Sequence, residues 1–108
     1  MDLTDKKCVP CEGGTLPMAK PEADKYMAEV LGWAMADDGK SIRREFSFAD
    51  FRASMAFVNK VAEVAEGEGH HPDIYVFYNK VRLELSTHAI GGLSENDFIV
   101  AAKVNRIS

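Results

Sequence analysis

Long apolar runs are missing from this sequence. Nothing approaches the roughly 18 residues needed to cross a bilayer, so no membrane span is expected. The opening residues, MDLTDKKCVPC, hold no apolar stretch of the kind a secretory signal requires. With neither feature, a cytoplasmic protein is expected. Cysteine is confined to Cys8 and Cys11, a single C-x-x-C. In a reducing compartment that pair argues against a structural disulfide, and without a second pair or a βαβ context it reads as incidental or locally structural. Excess positive charge is also missing. Thirteen Lys and Arg face 17 Asp and Glu, for a net charge of -4, which argues against direct nucleic-acid binding. There is no G-x-G-x-x-G and no phosphate-cradling loop, so no nucleotide cofactor is called for. Repeats, low-complexity tracts and interdomain linkers are absent as well.

What is there is one domain's worth of chain, 108 residues with 46% hydrophobic content. Residues 1–20 read as an irregular lead-in, broken by Pro10, Gly13, Gly14 and Pro17. Residues 21–108 read as a single domain. A first helix is expected from Pro21 to Leu31, with Ala23, Met27, Val30 and Leu31 at helical spacing and Gly32 as its cap. A hairpin follows: Trp33 to Ala36, a turn at Asp38-Gly39, then Ile42 to Phe46 or Phe48. Ser47 with Asp50 has the form of a capping box for a second helix. That helix carries the stripe Phe51, Met55, Val58, Val61, Ala62 and Ala65, widened by Phe57 and Val64, and should end near Glu66-Gly67. Ile74 to Tyr78 and Val81 to His88 read as a second hairpin turning at Asn79-Lys80. In it Val81, Leu83, Leu85 and Thr87 share one face, and Tyr75 should lie opposite Leu83 or Glu84. Ser94 with Asp97 caps a third helix running toward Arg106. The order α-β-β-α-β-β-α with short hairpins implies an α+β two-layer sandwich: a four-stranded antiparallel sheet with three helices on one face.

All three histidines fall between positions 70 and 88. His70 and His71 lie between the second helix and the third strand, and His88 ends the fourth. Pairing of those strands brings the three imidazoles to one end of the sheet. Pro72 drives His71 toward an extended conformation. Adjacent side chains then point opposite ways, so His70 and His71 should line two walls of one pocket rather than share one target. A zinc site is the competing reading, but neither Asp73 nor Glu66 completes a ligand spacing.

The stretch from Glu66 to Asp97 resembles the signature of the pterin-4a-carbinolamine dehydratase family. Its elements stand as Glu66, three residues, His70-His71-Pro72, five residues, Tyr78, nine residues, His88, eight residues, Asp97. Tyr78-Asn79-Lys80-Val81, Leu85-Ser86-Thr87-His88, Gly92-Leu93-Ser94-Glu95, Gly32-Trp33 and the Phe46 to Phe51 region extend the likeness over about residues 20–108. The resemblance implies a hydro-lyase that needs no cofactor or metal and removes water from a 4a-hydroxytetrahydropterin in tetrahydrobiopterin recycling. It implies His70 and His88 as proton donor and acceptor at the hydroxyl, and His71 as a pterin-holding residue that helps in proton transfer. Imidazole titrates near pH 6.5 and suits such roles. It further implies Glu66, Ser86, Thr87 (through its backbone) and Trp33 as substrate contacts. Trp33 reads equally as a strand residue packed on the second helix, and Tyr78, Pro72 and Asp97 as architectural. One departure is Gly69, where many animal members carry an Asp. By the same resemblance the chain works beside an aromatic amino acid hydroxylase and forms a homodimer or homotetramer. The alternative is a non-catalytic pterin-binding, assembly or coactivator module, since animal members also serve as dimerisation partners of a homeodomain transcription factor.

Overall fold

The computed structural model describes residues 2–10 and 15–108. Helix α1 spans Lys20–Met27, strand β1 Ala34–Met35, β2 Ile42–Ser47, helix α2 Phe51–Glu68, β3 Asp73–Phe77, β4 Lys80–Leu85 and α3 Glu95–Ile107. Short 3-10 turns lie at Leu3–Asp5 and His88–Ile90. The sheet order is β1-β2-β4-β3, with every neighbouring pair antiparallel. The expected element order and the α+β sandwich are both present.

The alternation along β4 sets the layers. Val81, Leu83 and Leu85 are fully buried, while Arg82 and Glu84 point to the open face. Phe98, Ile99, Val100, Ala101 and Val104 of α3 are buried with them in one core that also takes Ile42, Phe46, Phe57 and Val61. Leu3 of the lead-in belongs to the same core, with 2% of its surface exposed. On the open face Arg82 lies over the rings of Tyr75 and Phe77, at 4.7 and 5.4 Å. Strand β3 is a sheet edge, and Ile74, Tyr75 and Phe77 remain substantially exposed along it.

Five local expectations are corrected. Helix α1 ends at Met27 rather than Leu31, because the chain tightens into i→i+3 bonds from Glu29 to Tyr26 and Val30 to Met27 before Gly32 turns away at φ 86°. Leu31 is left exposed. Asp50 alone caps α2, accepting from Ala53 N–H at 2.8 Å, because Ser47 is still paired in β2. The buried stripe of α2 is Ser54, Phe57, Val61 and Ala65, so Phe51 and Ala62 face outward. Phe51 instead stacks on Tyr78. The second hairpin turns at Tyr78-Asn79, with Tyr78 at φ 51°, so Tyr75 pairs with Arg82. Finally, β4 ends at Leu85, since its partners run out there: Ile42 of β2 opposes Leu85, and Asp73 of β3 opposes Glu84. Thr87 bridges to Gly92 instead, and His88 begins a 3-10 turn.

Candidate active site

Helix α2 runs through Glu68, past the expected end at Glu66-Gly67, and stops at Gly69, which takes the left-handed conformation at φ 65° and ψ 25°. A side chain at that residue would be strained. The reversal delivers His70 and His71 directly from the helix end, and Pro72 then leads into β3. On the neighbouring side of the β3–β4 pair, Ser86, Thr87 and His88 leave β4 at the same end of the sheet. The three histidines line one cavity of about 650 Å³, together with Glu66, Glu68, Ser86, Thr87, Cys8, Val9, Pro10 and Asn96.

His70 and His71 take different partners. His70 is turned inward, its side chain 13% exposed, and its Nε2 lies 2.6 Å from Oδ1 of Asp97, whose side chain is fully buried. An ionised carboxylate only accepts, so Nε2–H is the donor and Nδ1 is the nitrogen available to a ligand. The other oxygen of Asp97 accepts from the Thr87 hydroxyl at 2.9 Å and from Ser94 N–H at 3.0 Å. Ser94 in turn completes the capping box of α3. Asp97 therefore caps a helix and orients a histidine with the same carboxylate. His71 points outward, its Nε2 bonded at 2.5 Å to Oε2 of Glu66 on the last turn of α2. Both partners are largely exposed, so the pair orients the ring but adds little stability. His88 sits exposed at the cavity rim.

Other candidates are placed less simply. Ser86 lines the cavity half-buried. Thr87 is buried, its hydroxyl committed to Asp97 and Ser94. Its N–H donates to the Gly92 carbonyl, and its own carbonyl accepts from Ile90 and Gly92. Its backbone thus ties the loop together at the cavity wall. Trp33 lies in the core, 6% exposed, and donates from Nε1 to Asn105 on α3 at 2.9 Å. It is not part of the cavity wall. Among the described residues, no three His, Cys, Asp or Glu side chains are grouped closely enough to hold a metal ion.

Four wall residues escaped sequence reasoning: Glu68, Val9, Pro10 and Asn96. In the sequence Cys8 stands out only as part of C-x-x-C, and Cys11 lies outside the described residues. Burial pushes the Cys8 thiol up to about 12, with the Glu68 charge and hydrogen bond adding to the rise. A thiol so raised carries almost no thiolate at neutral pH and is a poor nucleophile. Burial also pushes the Glu68 carboxyl up, but the hydrogen bonds from Lys103 Nζ and Cys8 N–H, with the Lys103 charge, outweigh it and hold Glu68 below the usual carboxylate range.

Residues 16–107 match the family model described as Pterin 4 alpha carbinolamine dehydratase. Among curated proteins, one from Nitrosomonas eutropha, a pterin-4-alpha-carbinolamine dehydratase by name, is 54% identical over 107 residues, covering 98% of this chain and 93% of that protein. One from Halorhodospira halophila with the same name is 48% identical, covering 99% and 98%. Among solved structures, a transcriptional coactivator/pterin dehydratase from Brucella melitensis superposes with a TM-score of 0.79 at 33% identity, over 84% of this chain and 97% of the other. A pterin dehydratase-like protein identified as a RuBisCO assembly factor in the alpha-carboxysome shares the fold, with a TM-score of 0.61 at 21% identity, over 73% and 92%.

Proposed function

The chain belongs to the pterin-4a-carbinolamine dehydratase family, and from that premise we propose that it is a hydro-lyase converting 4a-hydroxytetrahydropterin to quinonoid dihydropterin and water. One observation carries the reading: three histidines border one cavity, and the most buried of them is held at Nε2 by the buried carboxylate of Asp97.

The chemistry follows from the leaving group. Hydroxide departs poorly near neutral pH, so an acid protonates it as the bond from carbon 4a to oxygen breaks. The lone pair on the adjacent ring nitrogen forms the new carbon–nitrogen double bond, and the proton on that nitrogen is lost to a base. His70 and His88 share the donor and acceptor roles at the hydroxyl, with His70 taking up and returning the proton through Nδ1 because Nε2–H is held by Asp97. His71, oriented by Glu66, holds the pterin edge and assists proton transfer. Ser86 and Glu66 contribute polar contacts to the ring edges. The three histidines are the catalytic set, and the residues before position 21 are a lead-in to one catalytic domain. The physiological role in this reading is tetrahydrobiopterin recycling beside an aromatic amino acid hydroxylase. Self-association into a homodimer or homotetramer belongs to the same reading and is supported by the exposed apolar edge of β3.

The test is stopped-flow dehydration of the carbinolamine by the wild type and by His71→Ala. The wild type should accelerate the loss of water well above buffer, and the variant should lose most of that acceleration. A wild type no faster than buffer removes the enzymatic reading and leaves a binding or assembly module of the same fold.

A further inference from the structure

Residues 6–10 have no part in the reaction just described, yet hydrogen bonds tie them to the site and to the start of α3. Lys6 Nζ donates to Glu95 Oε2 at 2.9 Å. Cys8 N–H donates to Glu68 Oε1 at 2.9 Å. Val9 N–H donates to Asn96 Oδ1 at 3.0 Å, and Asn96 Nδ2 donates back to the Val9 carbonyl at 2.6 Å. One side-chain amide therefore grips both polar groups of one residue, as a neighbouring β-strand would. Asn96 is 5% exposed. Glu68, with its side chain 8% exposed, is itself held by Lys103 at 2.7 Å. Burying an amide and a carboxylate is unfavourable unless each is matched, and here much of the matching is directed at the lead-in.

The segment these bonds hold is apolar where it meets the cavity. Val9 and Pro10 both line it, and Val9 is 64% exposed. The remainder of the wall is mainly polar: the histidines, Glu66, Ser86 and Asn96. A pterin has polar edges and flat, weakly polar faces, so it needs one wall of each kind. We propose that Val9 and Pro10 form the apolar wall against which a face of the pterin ring lies, and that Asn96 is the positioning residue that fixes this wall. The proposal rests on the pterin reading above.

The test measures binding apart from turnover. The probe is 7,8-dihydrobiopterin, which lacks the 4a-hydroxyl and is not dehydrated. It is titrated calorimetrically into the wild type, Val9→Ala and Asn96→Ala. Removing two methyl groups from a surface covered by ligand should raise Kd about fivefold in Val9→Ala. Asn96→Ala should raise it at least as much, by releasing the whole segment. KM for the carbinolamine should rise in parallel while kcat stays within about twofold, because neither side chain carries a proton in the reaction proposed above. Asn96→Ala also touches the first turn of α3, so Val9→Ala, a surface change, decides the matter. A Val9→Ala protein that binds as tightly as the wild type overturns the proposal. A wild type that binds the pterin without dehydrating its substrate ends the enzymatic reading, and the wall then stands or falls on the Kd ratio alone. A wild type that binds no pterin ends both.

Discussion

Asp97→Asn is the most searching single change. Asparagine has the same shape as aspartate, so no cavity opens in this fully buried position. One of its two terminal atoms becomes a donor. Two donors, the Thr87 hydroxyl and Ser94 N–H, face one oxygen of Asp97, so the amide oxygen settles there. The NH₂ group is then left facing His70 Nε2. Two donors cannot share that contact, so His70 changes tautomer: Nε2 accepts, and the proton moves to Nδ1. The nitrogen offered to the substrate changes from acceptor to donor, and proton relay through His70 stops. General acid–base assistance is worth about 10²- to 10⁴-fold, and a kcat loss within that range is expected. Three charge-assisted hydrogen bonds become neutral or are rearranged, at a cost of about 2 kcal/mol in all. For a domain of this size that lowers Tm by about 10 °C and leaves the protein folded at 25 °C. The assay is stopped-flow dehydration beside a thermal melt, with ¹⁵N-labelled imidazole NMR to read the tautomer directly. A folded Asp97→Asn protein with wild-type kcat would refute the role given to His70, and an unchanged tautomer would refute the hydrogen-bond reasoning beneath it.

The remaining predictions are briefer. Gly69→Ala places a side chain in left-handed backbone with nothing within 4 Å of its Cβ, so the cost is conformational alone, about 1 kcal/mol by chemical denaturation. Gly69→Asp should cost less, because Asp tolerates that conformation better. Glu68 and Glu95 both titrate below the usual carboxylate range, Glu95 chiefly through the hydrogen bonds from the Tyr26 hydroxyl and Lys6. A carboxyl depressed on folding contributes stability above its unfolded value near 4.5, and that contribution is lost as pH falls through the lower folded value. Tm should therefore decline from pH 5 toward pH 3, and Glu95→Gln should flatten the decline. With its thiol raised to about 12, Cys8 should resist iodoacetamide at pH 8 in the native protein and react on denaturation, as followed by peptide mapping.

Much of this arrangement could be read from the residues, for reasons that differ from element to element. The buried face of β4 was legible because a period of two in Val81, Leu83, Leu85 and Thr87 has only one structural meaning. The cap of α3 was legible because Ser94 and Asp97 interact three residues apart. The turn at Tyr78-Asn79 was misplaced by one residue, since Asn is the usual occupant of positive φ and Tyr is not. The end of β4 depends on where β2 and β3 stop, which its own sequence does not encode. The separation of His70 from His71 followed from Pro72 alone, and their different partners agree with it. The wall formed by residues 8–10 was invisible, because Asn96 and Val9 meet across 87 positions with no local pattern to announce it.

Asp97 shows why the histidine cluster and the fold are hard to separate. A capping box needs an acid three residues after the serine, and that need fixes Asp97 relative to Ser94. The bridge from Thr87 to Gly92 brings the end of β4 beside the start of α3, which places the Thr87 hydroxyl on the same carboxylate. Only one oxygen of Asp97 is used by the cap and Thr87. The other is aimed at the place where Gly69 reverses α2, and His70 is the first residue after that reversal. Tolerated changes at position 97 must therefore satisfy two demands at once. Glutamate keeps the charge but extends it by one methylene in a fully buried position. Asparagine keeps the volume but inverts the donor pattern. Each should damage kcat and Tm together, whereas substitutions at His88, exposed at the rim, should lower kcat and leave Tm nearly unchanged. That contrast, measured on the same samples, separates a group that is part of the fold from one that serves the reaction alone.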